Sequence, residues 1–190
     1  AFNGMAGWKP TARRVSNDGL IPLSTSLDSV GVIARSAGCC AALDAILSGA
    51  PRPLAAAGDL AGRRLWAPTT VVLDDLDASV AAAFDAALTT LETAGVRIQR
   101  APLPELADLL TLAAGGGLSA AESYAWHRDL LAANGPAYDP RVAVRIAAGA
   151  KITAADHVRL TARRAALIEA VRARLDGVDA LAMPTVAMLP

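Results

Sequence analysis

One stretch of the sequence, residues 64–101, constrains the fold more than any other. Arg64–Pro68 reads as a short strand. Asp77 then stands where a helix needs an N-cap, and Val80, Phe84, Ala87, Leu88 and Leu91 recur at helical spacing up to Gly95. Val96–Ala101 reads as the next strand. Two strands joined by a helix of about four turns cannot form a hairpin, because a crossover of that length returns the chain in the same direction. At least part of the sheet is therefore expected to be parallel, and the class is α/β.

The flanking sequence fits that class. Residues 1–35 are turn-rich, with Gly4, Gly7, Pro10, Gly19, Pro22 and Gly31 spaced through them, and short extended pieces are expected at Arg14–Ser16 and Val30–Ala34. Ser36 is a candidate N-cap for a helix over Ala37–Leu47 that stops at Gly49. Residues 50–62 form a Pro/Ala/Gly linker. A helical region over Glu105–Ala133 is broken at Gly115-Gly116-Gly117, a short helix follows at Pro140–Ala148, and Thr153 caps a long one closing at Gly177. Apolar Ala180–Met183 reads as a buried strand. Arg64–Pro68, Val96–Ala101 and Ala180–Met183 should share one sheet, with the helices that start after Asp77 and Thr153 packed on it.

Composition narrows function by exclusion. Eighteen basic residues balance eighteen acidic ones, which argues against a direct nucleic-acid binder or a polybasic membrane-surface protein. With 54% hydrophobic and 19% charged residues the chain is not disordered, and no uncharged run is long enough to span a bilayer. The start, Ala1-Phe2-Asn3-Gly4, has no basic region ahead of an apolar one, so no signal peptide is expected. It also has no initiator Met, which points to a piece of a longer protein. Cys39 and Cys40, adjacent in an apolar stretch, are expected to be small buried residues of a cytoplasmic, reducing environment.

Few residues carry chemistry by spacing alone. Gly115–Ala120 matches G-x-G-x-x-A, but helical spacing rather than a strand precedes it, so a break between helices is the better reading. His127 and His157 have no metal-ligand partner at i+3 or i+4, and no metal site is expected. His157 is read as a solvated or capping residue; His127, following Tyr124 and Trp126, either lines a pocket or is a satisfied structural histidine. Asp74, Asp75 and Asp77 precede a helix N-terminus, where anions are favoured without a metal. Arg159, Arg163, Arg164, Arg172 and Arg174 read as a solvated face. Lys9 with Ser24 or Ser26 can be imagined as a Ser–Lys dyad, which spacing alone does not establish.

The N-terminal text is more specific. Ala1-Phe2-Asn3-Gly4-Met5-Ala6-Gly7-Trp8-Lys9-Pro10-Thr11 resembles the A-F-x-G-x-x-G-x-K-P-T segment of the amidase signature family. Arg14-Val15-Ser16, Gly19–Ser24, Ser26–Gly31, Ala34-Arg35-Ser36 and Asp44 continue that pattern in order. Glu122–His127 resembles the family's E-x-Y-x-x-H stretch, and Ile152–Asp156 and Asp179–Thr185 resemble later landmarks. The match is dense over residues 1–49 and looser afterwards.

The resemblance implies a mixed, partly parallel β-sheet with helices on both faces, and an enzyme that breaks a carboxamide C–N bond through a serine nucleophile, a cis serine and a lysine base, with no metal or organic cofactor. Its substrate would be a small-molecule amide. Tyr124 and His127 would approach the substrate cleft. None of the three catalytic residues has a match here, and Lys9 matches a family lysine outside the catalytic set. Residues 1–190 are thus expected to be the central portion of a single amidase signature domain, without its N-terminal catalytic part and C-terminal end, inactive and poorly soluble alone. Other readings are the glutamine-hydrolysing subunit of a tRNA-dependent amidotransferase and a non-catalytic interaction domain. The resemblance leaves room for a homodimer or a small partner subunit.

Overall fold

The structure, a computed structural model, describes residues 2–49 and 58–189. Most of the linker, residues 50–57, lies outside the described residues. Strands β1 (Ala6–Trp8) and β2 (Val32–Ala34) form an antiparallel pair, followed by helix α1 (Ala37–Ser48). Then come β3 (Arg64–Pro68), α2 (Ala78–Thr93), β4 (Arg97–Ala101), α3 (Glu105–Ala113), α4 (Gly117–Asn134), α5 (Pro140–Ala147), α6 (Ala154–Arg174) and β5 (Ala180–Leu181).

The expected strand–helix–strand unit is present. β3 and β4 pair in parallel with Leu65 opposite Ile98, and β5 joins the other side of β3 in parallel, giving the order β4-β3-β5. Asp77 caps α2 by accepting the N–H groups of Ser79 and Val80. Beyond the helix, Gly95 turns the chain at φ +88°, where a Cβ would come 3.1 Å from Ala61 Cα, so the return into β4 needs glycine both for its dihedral and for its size. Trp66, Ala67, Pro68, Leu88, Val96 and Leu103 are buried here, and Trp66 Nε1 donates to the Ala101 carbonyl at 2.9 Å.

Four expectations need correction. Arg14–Ser16 is not extended: Arg13 sits at φ +68° and Arg14 N–H closes a turn onto Thr11, and the strand that pairs with β2 is Ala6–Trp8. The last strand is neither long nor buried: only Ala180–Leu181 is strand, on the sheet edge, with Ala180 exposed. The helix that follows Thr153, α6, makes its main contacts with α3 and α4 rather than with the sheet. Of the two cysteines, Cys40 is buried, but Cys39 faces solvent.

Candidate functional site

Two of the stretches that carried the resemblance, around Pro22–Ser26 and Glu122–His127, meet at helix α4. α4 begins at the Gly115–Gly117 break, where all three glycines have positive φ, and its buried face includes Leu118, Ala120 and Ser123. This confirms a break between helices rather than a dinucleotide-binding turn. Gly149, in the turn after α5, approaches so closely that a Cβ there would lie 2.0 Å from the Ala120 carbonyl and 2.6 Å from Tyr124 Cβ.

From α4, Glu122 reaches a segment almost a hundred residues away in sequence. Its carboxylate accepts the Ser24 hydroxyl at 2.7 Å, the Ser26 N–H at 2.9 Å, the Ser26 hydroxyl at 2.5 Å and the Thr25 hydroxyl at 3.4 Å. Partial burial pushes this carboxyl upward. The Ser26 N–H and the hydroxyls of Ser26, Ser24 and Thr25 outweigh that, and it sits below the usual glutamate range. Glu122 is therefore an ionised, donor-saturated anchor at neutral pH. The clamped segment is also tied internally, because Asp28 Oδ2 accepts the N–H groups of Leu23 and Ser24.

His127, further along α4, holds the same segment at its other end. Nε2 lies 3.3 Å from the Pro22 carbonyl and Nδ1 lies 3.0 Å from the Tyr138 hydroxyl, whose ring packs edge-on at 6.0 Å. A carbonyl only accepts, so Nε2 carries the proton and, in the neutral ring, Nδ1 accepts from Tyr138. Glu122 and His127 thus form a two-point clasp on Pro22–Ser26. A cavity of about 460 Å³ opens beside it, lined by Asn17, Leu20, Ile21, Leu23, Thr25 and Ser29 among others. Tyr124 is half-buried.

The imagined Ser–Lys dyad does not assemble. Lys9 Nζ donates to the Pro10 carbonyl at 2.8 Å, and both serine hydroxyls are committed to Glu122. Of the three aspartates, only Asp77 caps α2; Asp74 and Asp75 are exposed, and Asp75 sits in a turn at φ +52°. Three arginines of α6 pair with acids, Arg159 with Asp156, Arg172 with Glu169 and Arg174 with Glu105. His157 is half-buried on the first turn of α6, where Thr153 and Asp156 supply the cap. Among the described residues, no group of three or more His, Cys, Asp or Glu side chains could hold a metal ion.

Reasoning from residue types gave no reason to single out Glu122 or Asp44. Asp44, buried on α1, accepts Trp8 Nε1 at 3.1 Å and Arg14 Nε and Nη2 at 2.9 and 2.8 Å, joining β1, the following turn and α1. The Asp44 carboxylate raises the Arg14 pKa further above its ordinary value. The only signal for either acid was its place in the family-like text.

The comparisons with known proteins agree with that text. The amidase family model matches residues 1–190. The 2-amino-5-chloromuconic acid deaminase of Comamonas testosteroni is 36% identical over 197 residues, covering 100% of this chain and 42% of that protein. Indoleacetamide hydrolase of Agrobacterium vitis is 38% identical over 109 residues, covering 57% of this chain and 23% of that protein. A solved amidase superposes with a TM-score of 0.84 at 28% identity, covering 99% of this chain and 42% of that one. The chain spans well under half the length of these relatives. It belongs to the amidase signature family.

Proposed function

We propose that these 190 residues work as the central portion of an enzyme that hydrolyses a small-molecule carboxamide, supplying a wall of the substrate cleft. The serine nucleophile, cis serine and lysine base of the family are contributed by residues outside these 190. In that reaction the nucleophile's oxygen bonds to the acyl carbon and its proton passes through the cis serine to the lysine. The C–N bond breaks, the amine leaves with a proton, and water then releases the acid from the acyl-enzyme. The setting is cytoplasmic, and no metal or cofactor takes part. This reading leaves room for a homodimer or a small partner subunit.

The observation that carries this reading is the family match over residues 1–190. The Tyr124–His127 stretch serves the cleft, His127 by holding Pro22 beside the 460 Å³ cavity. In the complete enzyme, Tyr124→Phe and His127→Ala should each lower kcat/KM on an amide, with Tm nearly unchanged in Tyr124→Phe. A lower Tm with unchanged kcat/KM would assign both residues to packing alone.

A further inference from the structure

α3, the glycine break and α6 enclose a second recess, of about 220 Å³. Its walls are leucines: Leu27 from the clamped loop, Leu109 and Leu112 from α3, and Leu118 from α4. Glycine keeps it open. A Cβ on Gly117 would lie 2.3 Å from the Leu112 carbonyl, and one on Gly116 would lie 2.4 Å from Ala120 Cβ. Arg164 is the one charged residue among those that line it.

Arg164 differs from the paired arginines of α6, and from Arg163, exposed and likewise unpaired among the described residues, in being partly buried. Arg159, Arg172 and Arg174 each pair with a carboxylate and are more than half exposed. Arg164 is half-buried and, among the described residues, has no hydrogen bond or ion pair. A guanidinium that has lost part of its water is best compensated by a planar anion that accepts two parallel N–H bonds, and a carboxylate fits that fork. Leucine walls at the same place favour an apolar body over a bare ion.

We infer that this recess binds a small carboxylate with an apolar body, an aryl or short branched alkyl acid, with its carboxylate on Arg164 and its body against the leucines. The site goes beyond the amide-hydrolase reading and does not depend on it. The requirement for both parts separates this ligand from phosphate or acetate, which have charge without a body, and from a neutral amide, which has a body without charge.

Calorimetric titration tests this with phenylacetate, phenylacetamide and acetate as the three probes. Phenylacetate should bind about tenfold or more tighter than either of the others. Arg164→Met should bring phenylacetate down to the phenylacetamide level and leave phenylacetamide unchanged, whereas Arg164→Lys should retain part of the preference. Leu109→Glu, at a wall residue that is half exposed, should weaken phenylacetate by placing a like charge at the mouth. No binding of phenylacetate would overturn the inference. So would equal binding of phenylacetate and phenylacetamide, or phenylacetate binding that survives Arg164→Met at unchanged Tm.

Discussion

Residues 2–49 and residues 58–189 are held together by different physics. In the second region the buried residues are mostly apolar, among them Trp66, Leu88, Leu103 and Ile146, and backbone ladders join the strands. In the first, the buried residues are Pro10, Val15, Ser24, Cys40 and Asp44, two of them polar, while Ile21, Ile33 and Ile46 are 84%, 70% and 74% exposed. Carboxylates reinforce that small core. Asp28 ties the loop to itself, Asp44 joins β1 to α1, and Glu122 fastens the loop to α4. A family-like motif can therefore be dense in sequence where the fold relies on polar anchors beside apolar packing, because Asp28, Asp44 and Glu122 each have specific partners.

Four perturbations would sharpen or break this contrast. Leu88→Ala removes a side chain that is 1% exposed and should cost about 3 kcal/mol of unfolding free energy, read by urea titration, with little dependence on pH. Glu122→Ala leaves the buried Ser24 hydroxyl and the Ser26 N–H without their acceptor and should cost about 2 kcal/mol. Its signature is local: amide exchange should accelerate over residues 22–28 and stay unchanged over residues 64–101. Equal acceleration in both regions would mean that they unfold as one unit and that the contrast is false. Ser36→Ala removes the acceptor for Cys39 N–H at the start of α1 and should cost about 1 kcal/mol.

Acid should give the smallest effect, and its sign follows from the carboxylates. Glu122 lies below its ordinary 4.5 in the folded chain, so its contribution is present above that pH and fades as pH falls through the lower folded value. Asp156 behaves alike over a window that can be named. The Thr153 hydroxyl, the Arg159 guanidinium and the Thr153 N–H hold it down to about 2 from 3.8, so its cap on α6 is intact near pH 4 and is lost towards pH 2. Titration of the Asp156 carboxyl by NMR should show the depressed value, and Thr153→Ala should move it up.

What was legible in the sequence divides along the same line. Ser36, Asp77 and Thr153 announced their helices because a cap acts on the next three residues, and Arg64–Pro68 matched its strand residue for residue. Arg14–Ser16 misled because its fate depends on Asp44, thirty positions away. The Glu122 clasp joins residues 96 to 98 positions apart, and no periodicity encodes such a contact. The resemblance alone marked Glu122, residue type had already drawn attention to His127, and neither signal said what these residues touch. The edge position of β5 was hidden for a similar reason, since apolar Ala180–Met183 reads the same in the middle of a sheet as at its rim.

The central claim is that the Ser24–Ser26–Glu122 cluster is an anchor and not a nucleophilic centre. Treating the 190-residue chain with a fluorophosphonate and mapping adducts by mass spectrometry tests this directly. With both hydroxyls committed to an ionised carboxylate and Lys9 turned onto Pro10, no adduct should form on Ser24 or Ser26, and no amide should be hydrolysed. An adduct on either serine, lost together with amide turnover in Ser24→Ala or Ser26→Ala, would contradict it.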